Sequence, residues 1–164
     1  MLGNANFNDA SASFVNRVSD AEGVDAGLLG FTFHHEGGFN MYSGPNTNGS
    51  TDPHDGDWGP FQLNYNQTVA DLNQNSYSIS GLSFHDVFGD LGLFGATSTP
   101  LDPMQNGRLA ARKLNYLLRV SGNNYATAAG RYKGWKGDIF KGRRDEWNRE
   151  GGQFQAFFSC FYTR

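Results

Sequence analysis

The sequence predicts an α+β domain, mostly α-helical, with a small β or loop lobe around residues 39–62. Three observations predict it. Apolar residues recur at helical spacing on both sides of that stretch, most clearly from Met104 to Val120. Between Phe39 and Asp57 the chain turns to Gly, Asn, Ser, Thr, Pro and Asp, the residues of turns and short strands. Finally, 164 residues carry 14 Phe, 7 Tyr and 3 Trp alongside 22 Gly, enough aromatic surface for a packed core within a loop-rich chain of one-domain size. A single domain, 1–164, is expected.

The elements follow in order. Phe14, Val15 and Val18 lie at helical spacing in a first helix, Ala10 to Val18. Asp25 has the position and chemistry of an N-cap for a second, running through Leu28, Leu29, Phe31 and Phe33 to His35, with Gly37 and Gly38 ending it. Three weaker helical stretches fall at Thr68 to Leu72, Ser83 to Phe88 and Leu91 to Phe94. In the strong helix from Met104 to Val120, Ala110, Leu114, Leu117 and Leu118 share one face, leaving Arg108, Arg112, Lys113 and Arg119 to face water. Asn124 to Tyr132 and Asp138 to Arg149 read as two further helices. Beyond them Phe154, Phe157, Phe158 and Phe161 form a stripe whose expected fate is core packing.

Composition excludes several classes. No apolar run approaches the roughly 18 residues of a membrane span, and the first residues lack the basic and apolar stretch of an export signal, so a soluble chain without a leader is expected. Cys160 is the single cysteine, which removes any internal disulfide framework or multi-cysteine zinc site. Residues 1–104 hold one basic residue, Arg17, and 12 acids, whereas residues 105–164 hold 12 basic residues and 4 acids. Such asymmetry means either a basic face for an anionic partner or two opposite halves folded against each other. No nucleic-acid-binding signature accompanies it, so no nucleic-acid partner is expected.

One acid is oddly placed. Glu36 closes an apolar helix just before two glycines, where the negative end of the helix dipole and apolar neighbours such as Phe33 or Phe39 favour a protonated carboxyl. A protonated acid near neutral pH is what protonating a glycosidic oxygen requires. An ordinary solvated glutamate at a helix end is the alternative.

The motifs around it are more specific. His35-Glu36-Gly37-Gly38-Phe39-Asn40, then Asn48-Gly49-Ser50-Thr51-Asp52, then Asp57-Trp58-Gly59-Pro60-Phe61-Gln62-Leu63-Asn64 resemble, in order and spacing, the lysozyme superfamily. The last stretch is also similar to the Gly-Ala-x-Gly-Leu-Met-Gln motif of lytic transglycosylases and goose-type lysozymes. Ala128 to Gly134 is similar to their Ala-x-x-Tyr-Asn-x-Gly, with Lys133 replacing the Asn. The resemblance is close from Leu28 to Asn64 and loose from Met104 to Trp135. Lacking internal disulfides, the chain is more similar to bacterial or phage members than to c-type lysozymes.

The resemblance implies a lysozyme-like fold and a muramidase that cleaves the β-1,4 bond between N-acetylmuramic acid and N-acetylglucosamine. In it Glu36 matches the general acid, and the two-carboxylate logic is inherited from that family. Two alignments compete for the second carboxylate: Asp57, favoured by the stronger motif, and Asp52, favoured by Gly49-Ser50-Thr51. Asp57 as a turn-capping residue is the other possibility. Gln62 and Asn64 supply amides suited to sugar hydroxyls and N-acetyl groups, or Gln62 braces its own loop. Tyr132 is placed to position substrate, and Trp58 or Trp135 to stack on a sugar unless buried.

Other chemistries compete with this one. His54, Asp55, Asp57 and Asp52, and separately His34-His35-Glu36, hold possible ligands without a recognised metal-site spacing, so no metal and no cofactor are expected. A lytic transglycosylase giving 1,6-anhydro products is the runner-up activity, and a non-catalytic glycan-binding module the third. The expected partner is peptidoglycan or a related amino-sugar polymer, at the cell wall in the periplasm or outside the cell, with the delivery route and oligomeric state left open by the sequence.

Overall fold

A computed structural model describes residues 8–41, 56–64, 67 and 103–161. Within these residues the protein is mostly helical, with a small two-stranded sheet. The weak helical stretches expected between residues 68 and 94 lie outside them, as does much of the turn-rich lobe and the Asp52 to Asp55 cluster.

Helix α1 spans Asp9–Glu22. It begins with a reciprocal cap, in which Ser11 N donates to Asn8 Oδ1 and Asn8 N to Ser11 Oγ, each at 3.0 Å. Phe14, Val15 and Val18 are buried as their spacing requires. Helix α2, Ala26–Gly37, is capped by Asp25, whose Oδ1 accepts from Leu28 N at 2.7 Å. Gly38 ends it in the left-handed region, its N–H returning to His34 O at 2.9 Å.

Strands β1 (Asp57–Trp58) and β2 (Leu63–Asn64) form an antiparallel hairpin with Asp57 opposite Asn64 and Trp58 opposite Leu63. The hairpin is held by what it buries. Phe61 is fully enclosed against Phe14 and Phe33, at ring separations of 6.2 and 5.3 Å. Asn106, also fully buried, donates to Trp58 O and accepts from Phe61 N, both at 3.3 Å. A buried side-chain amide answering two backbone groups of the hairpin satisfies the requirement that enclosed polar groups be paired. The loop also presses on α2: a Cβ at Gly37 would stand 2.2 Å from Pro60 O, so only glycine permits this approach.

Helix α3 spans Pro103–Val120, α4 Tyr125–Lys133 and α5 Gly137–Phe161. Leu109, Ala110, Leu114 and Leu117 of α3 are buried. Two of its arginines do not face water as expected. Arg108 Nε lies 2.5 Å and Arg112 Nε 2.6 Å from the Glu22 carboxylate, closing the C-terminal end of α1 onto α3. Lys113 instead lies over the Tyr132 ring, 4.4 Å from its centroid.

The C-terminal region forms one helix where the sequence suggested a helix and a separate stripe. Helix α5 runs through Gly151 and Gly152, each costing roughly 1 kcal/mol relative to alanine. Burial of Trp147, Phe154 and Phe158 against α2 outweighs this, at about 1.5–3 kcal/mol per large apolar side chain. Phe31 meets Trp147 and Phe154 edge-on at 5.0 and 5.5 Å. Gly30 lets Phe158 reach the α2 backbone, where a Cβ would stand 2.1 Å from its ring. Phe154 and Phe158 therefore serve as the core packing expected of the stripe.

Candidate active site

Three separated parts of the chain meet in one cleft of about 480 Å³: the end of α2, the hairpin, and the facing sides of α3 and α4. Glu36, Asp57, Gln62, Asn64 and Tyr132 all line it. Five of the six site residues singled out from the sequence are thus brought together, and the sixth, Asp52, lies outside the described residues.

Glu36 is enclosed, its side chain 3% exposed. Phe33 and Phe39, the apolar residues flanking it in sequence, are both buried. The carboxylate is nevertheless not alone among them. Lys133 Nζ lies 2.8 Å from Oε2 and Arg143 Nη2 lies 3.0 Å from Oε1. An enclosed carboxylate is tolerated when each oxygen is answered in this way. Lys133, 39% exposed, reaches it from the cleft side; Arg143, 12% exposed, comes from α5 and also binds Glu146 at 2.9 Å.

Asp57 stands on β1, and its Oδ1 accepts from Asn64 Nδ2 at 3.1 Å across the hairpin register. Asn64 Oδ1 in turn accepts from Gln67 N at 2.9 Å. Gln62, in the left-handed region at φ 45°, donates from Nε2 to Gly59 O at 2.9 Å and so braces its own turn. The Tyr132 hydroxyl donates to Phe61 O at 3.1 Å, tying α4 to the hairpin loop. Of the two tryptophans considered for stacking, Trp58 is buried, whereas Trp135 is 62% exposed at the cleft edge with the Arg131 guanidinium 5.3 Å from its ring.

Sequence reasoning missed the cations. Lys113, Arg131 and Lys133 line the cleft beside Tyr116 and Trp135. Lys133 stood out in the sequence as the residue replacing an Asn in the third motif, the one signal that pointed to it. Arg143 had none, because its partner lies 107 residues earlier.

Behind Glu36, the two histidines face α5. His35 Nε2 is 3.1 Å from Glu150 Oε1, and Nδ1 is 3.6 Å from Glu146 Oε2. Burial drives the His35 pKa down to about 3, with the Arg143, His34 and Arg149 charges acting in the same direction. His34 is lowered too, chiefly by burial, with Glu150 opposing and Arg143 adding to the shift. A ring nitrogen from each histidine and a Glu150 oxygen lie within 4.8 Å of one another, a combination that the separation of α2 and α5 in sequence concealed.

Comparison of the chain with models of protein families, with characterised proteins and with solved structures returns no match.

Proposed function

We propose that the protein is a peptidoglycan-cleaving glycoside hydrolase, a muramidase of lysozyme-like fold acting on the bond between N-acetylmuramic acid and N-acetylglucosamine. The observation that carries this reading is the convergence of Glu36, Asp57, Gln62, Asn64 and Tyr132 in one cleft, although they come from three separate motifs. Glu36 is the general acid. Lys133 is the more accessible of its two cations, and an entering sugar displaces it from Oε2, leaving Arg143 to hold the other oxygen. The freed oxygen takes up a proton from solvent and delivers it to the leaving glycosidic oxygen as that oxygen's bond to the anomeric carbon breaks. Asp57, oriented by Asn64, stabilises the positive charge that develops on the sugar and either attacks it or directs water to it. Trp135, the exposed aromatic at the cleft edge, offers a face to a sugar ring.

A second reading has one observation in its favour. Asp57 is bonded within its own hairpin, and if that is its whole role, Glu36 acts without a second carboxylate. The substrate's own 6-hydroxyl then closes on the sugar, as in lytic transglycosylases. Peptidoglycan turbidity and mass spectrometry of the digest separate the cases. Glu36→Gln is expected to lose at least about 10²–10⁴ in rate. Products with a reducing end support hydrolysis; products lighter by one water support transglycosylation. Binding without turnover by the unaltered protein would leave a glycan-binding module and overturn both.

A further inference from the structure

We propose that His34 and His35 of α2 and Glu150 of α5 form a binding site for one divalent transition-metal ion, with zinc the best match. The site is independent of the glycosidase reading and lies behind the cleft, where the end of α2 crosses α5.

The ligand atoms already converge. One from each residue falls within a group no wider than 4.8 Å, and the His35 and Glu150 atoms are 3.1 Å apart. Around a four-coordinate zinc with ligands at about 2.0–2.2 Å, neighbouring ligand atoms stand roughly 3.3–3.6 Å apart. Glu150 is partly exposed, so its side chain has torsional freedom to adjust toward that spacing. Two imidazoles and a carboxylate suit zinc, whereas calcium and magnesium prefer all-oxygen sites.

Two features of the polar network suit an ion at this place. The His35 ring has a carboxylate on each side, Glu146 toward Nδ1 and Glu150 toward Nε2. The single N–H of a neutral ring answers only one of these carboxylates, whereas a second proton or a metal ion on the other nitrogen answers both. A metal on Nε2 does so with Nδ1–H left to Glu146, the carboxylate–histidine–metal arrangement that fixes the tautomer of a ligating ring. His34 Nδ1 is buried and has no hydrogen-bond partner. Of the two arginines near the pair, Arg143 and Arg149, the first is answered by Glu36 and Glu146.

Zinc here bridges α2 to α5 one residue before Glu36. The test uses the full chain, stripped with a chelator and titrated calorimetrically with zinc chloride. One equivalent is expected to bind and to raise the melting midpoint, and cobalt(II) in its place to give the visible absorption of a four-coordinate nitrogen and oxygen site. Glu150→Gln and His34→Gln are each expected to weaken zinc by more than about 100-fold, and Glu146→Gln, acting through His35, by about 10-fold. Asp145→Asn, on an exposed side chain of the same helix, leaves affinity unchanged. Circular dichroism of each variant checks that the helices persist. Absence of binding up to about 1 mM zinc, an affinity of only about −4 kcal/mol, overturns the proposal. Undiminished one-equivalent binding by both Glu150→Gln and His34→Gln overturns it equally.

Discussion

The two cations on Glu36 are unequal partners, and the difference is measurable. Arg143 is enclosed and bridges two carboxylates, so replacing it strands charge away from water, a loss of about 3–5 kcal/mol for a buried pair. Lys133 stands at the edge of solvent, where ion pairs contribute about 0–1 kcal/mol. Urea denaturation of Arg143→Met and Lys133→Met is therefore expected to show a large loss for the first and a small one for the second. Comparable losses would mean that Lys133 is as shielded as Arg143. Neither partner was legible beside Glu36 in the sequence. The acid's position at a helix end is a local property, visible in the apolar run and the glycines, while its counter-charges arrive from helices far along the chain. Gln62 is a related case: the sequence left open whether its amide serves sugar groups or braces its own loop, and the bond to Gly59 O shows the brace formed.

At the level of elements, local chemistry was the more readable the more it depended on near neighbours. Asp25 caps α2 and Gly38 ends it because caps act over three or four residues. The continuity of α5 was hidden because two glycines argue locally for a break, and the opposing force comes from α2. The two helices respond differently to added methyl groups. Gly152 faces open space in a helix interior, so Gly152→Ala is expected to stabilise the protein by about 0.5–1 kcal/mol. Gly30→Ala drives a methyl into Phe158 and is expected to destabilise by about 1–3 kcal/mol, the cost of overpacking a core. Thermal melts of the two variants should move in opposite directions.

Across the whole molecule, the acidic first part and the basic second part are joined to each other. Glu22 pairs with Arg108 and Arg112, and Glu36 with Lys133 and Arg143, so the charge asymmetry of the sequence is at least partly internal complementarity. Acid should loosen this assembly, and His35 adds a specific contribution. Its ring takes a proton near its ordinary value of 6.5 when unfolded, but only near about 3 when folded. The lowered folded value means its stabilisation is fully present above about 6.5 and is lost as pH falls toward 3. The slope is up to about 1.4 kcal/mol per pH unit from this ring. Urea midpoints of chelator-treated protein between pH 7 and pH 5 are expected to fall, and to fall less steeply in His35→Asn. Equal slopes would remove His35 from the effect, leaving the flanking Glu146, Glu150, His34, Arg143 and Arg149 to account for it.

The packing of α5 over α2 also sets an order of events during synthesis. Helix α2 emerges from the ribosome more than a hundred residues before the helix that covers it, with Phe31 still in want of Trp147 and Phe154. Until α5 follows, the nascent chain displays this apolar flank to whatever it meets, a surface for chaperones or for aggregation. Glu36 meanwhile waits for Arg143, so the acid's inner counter-charge and the covering of its scaffold arrive in the same late step.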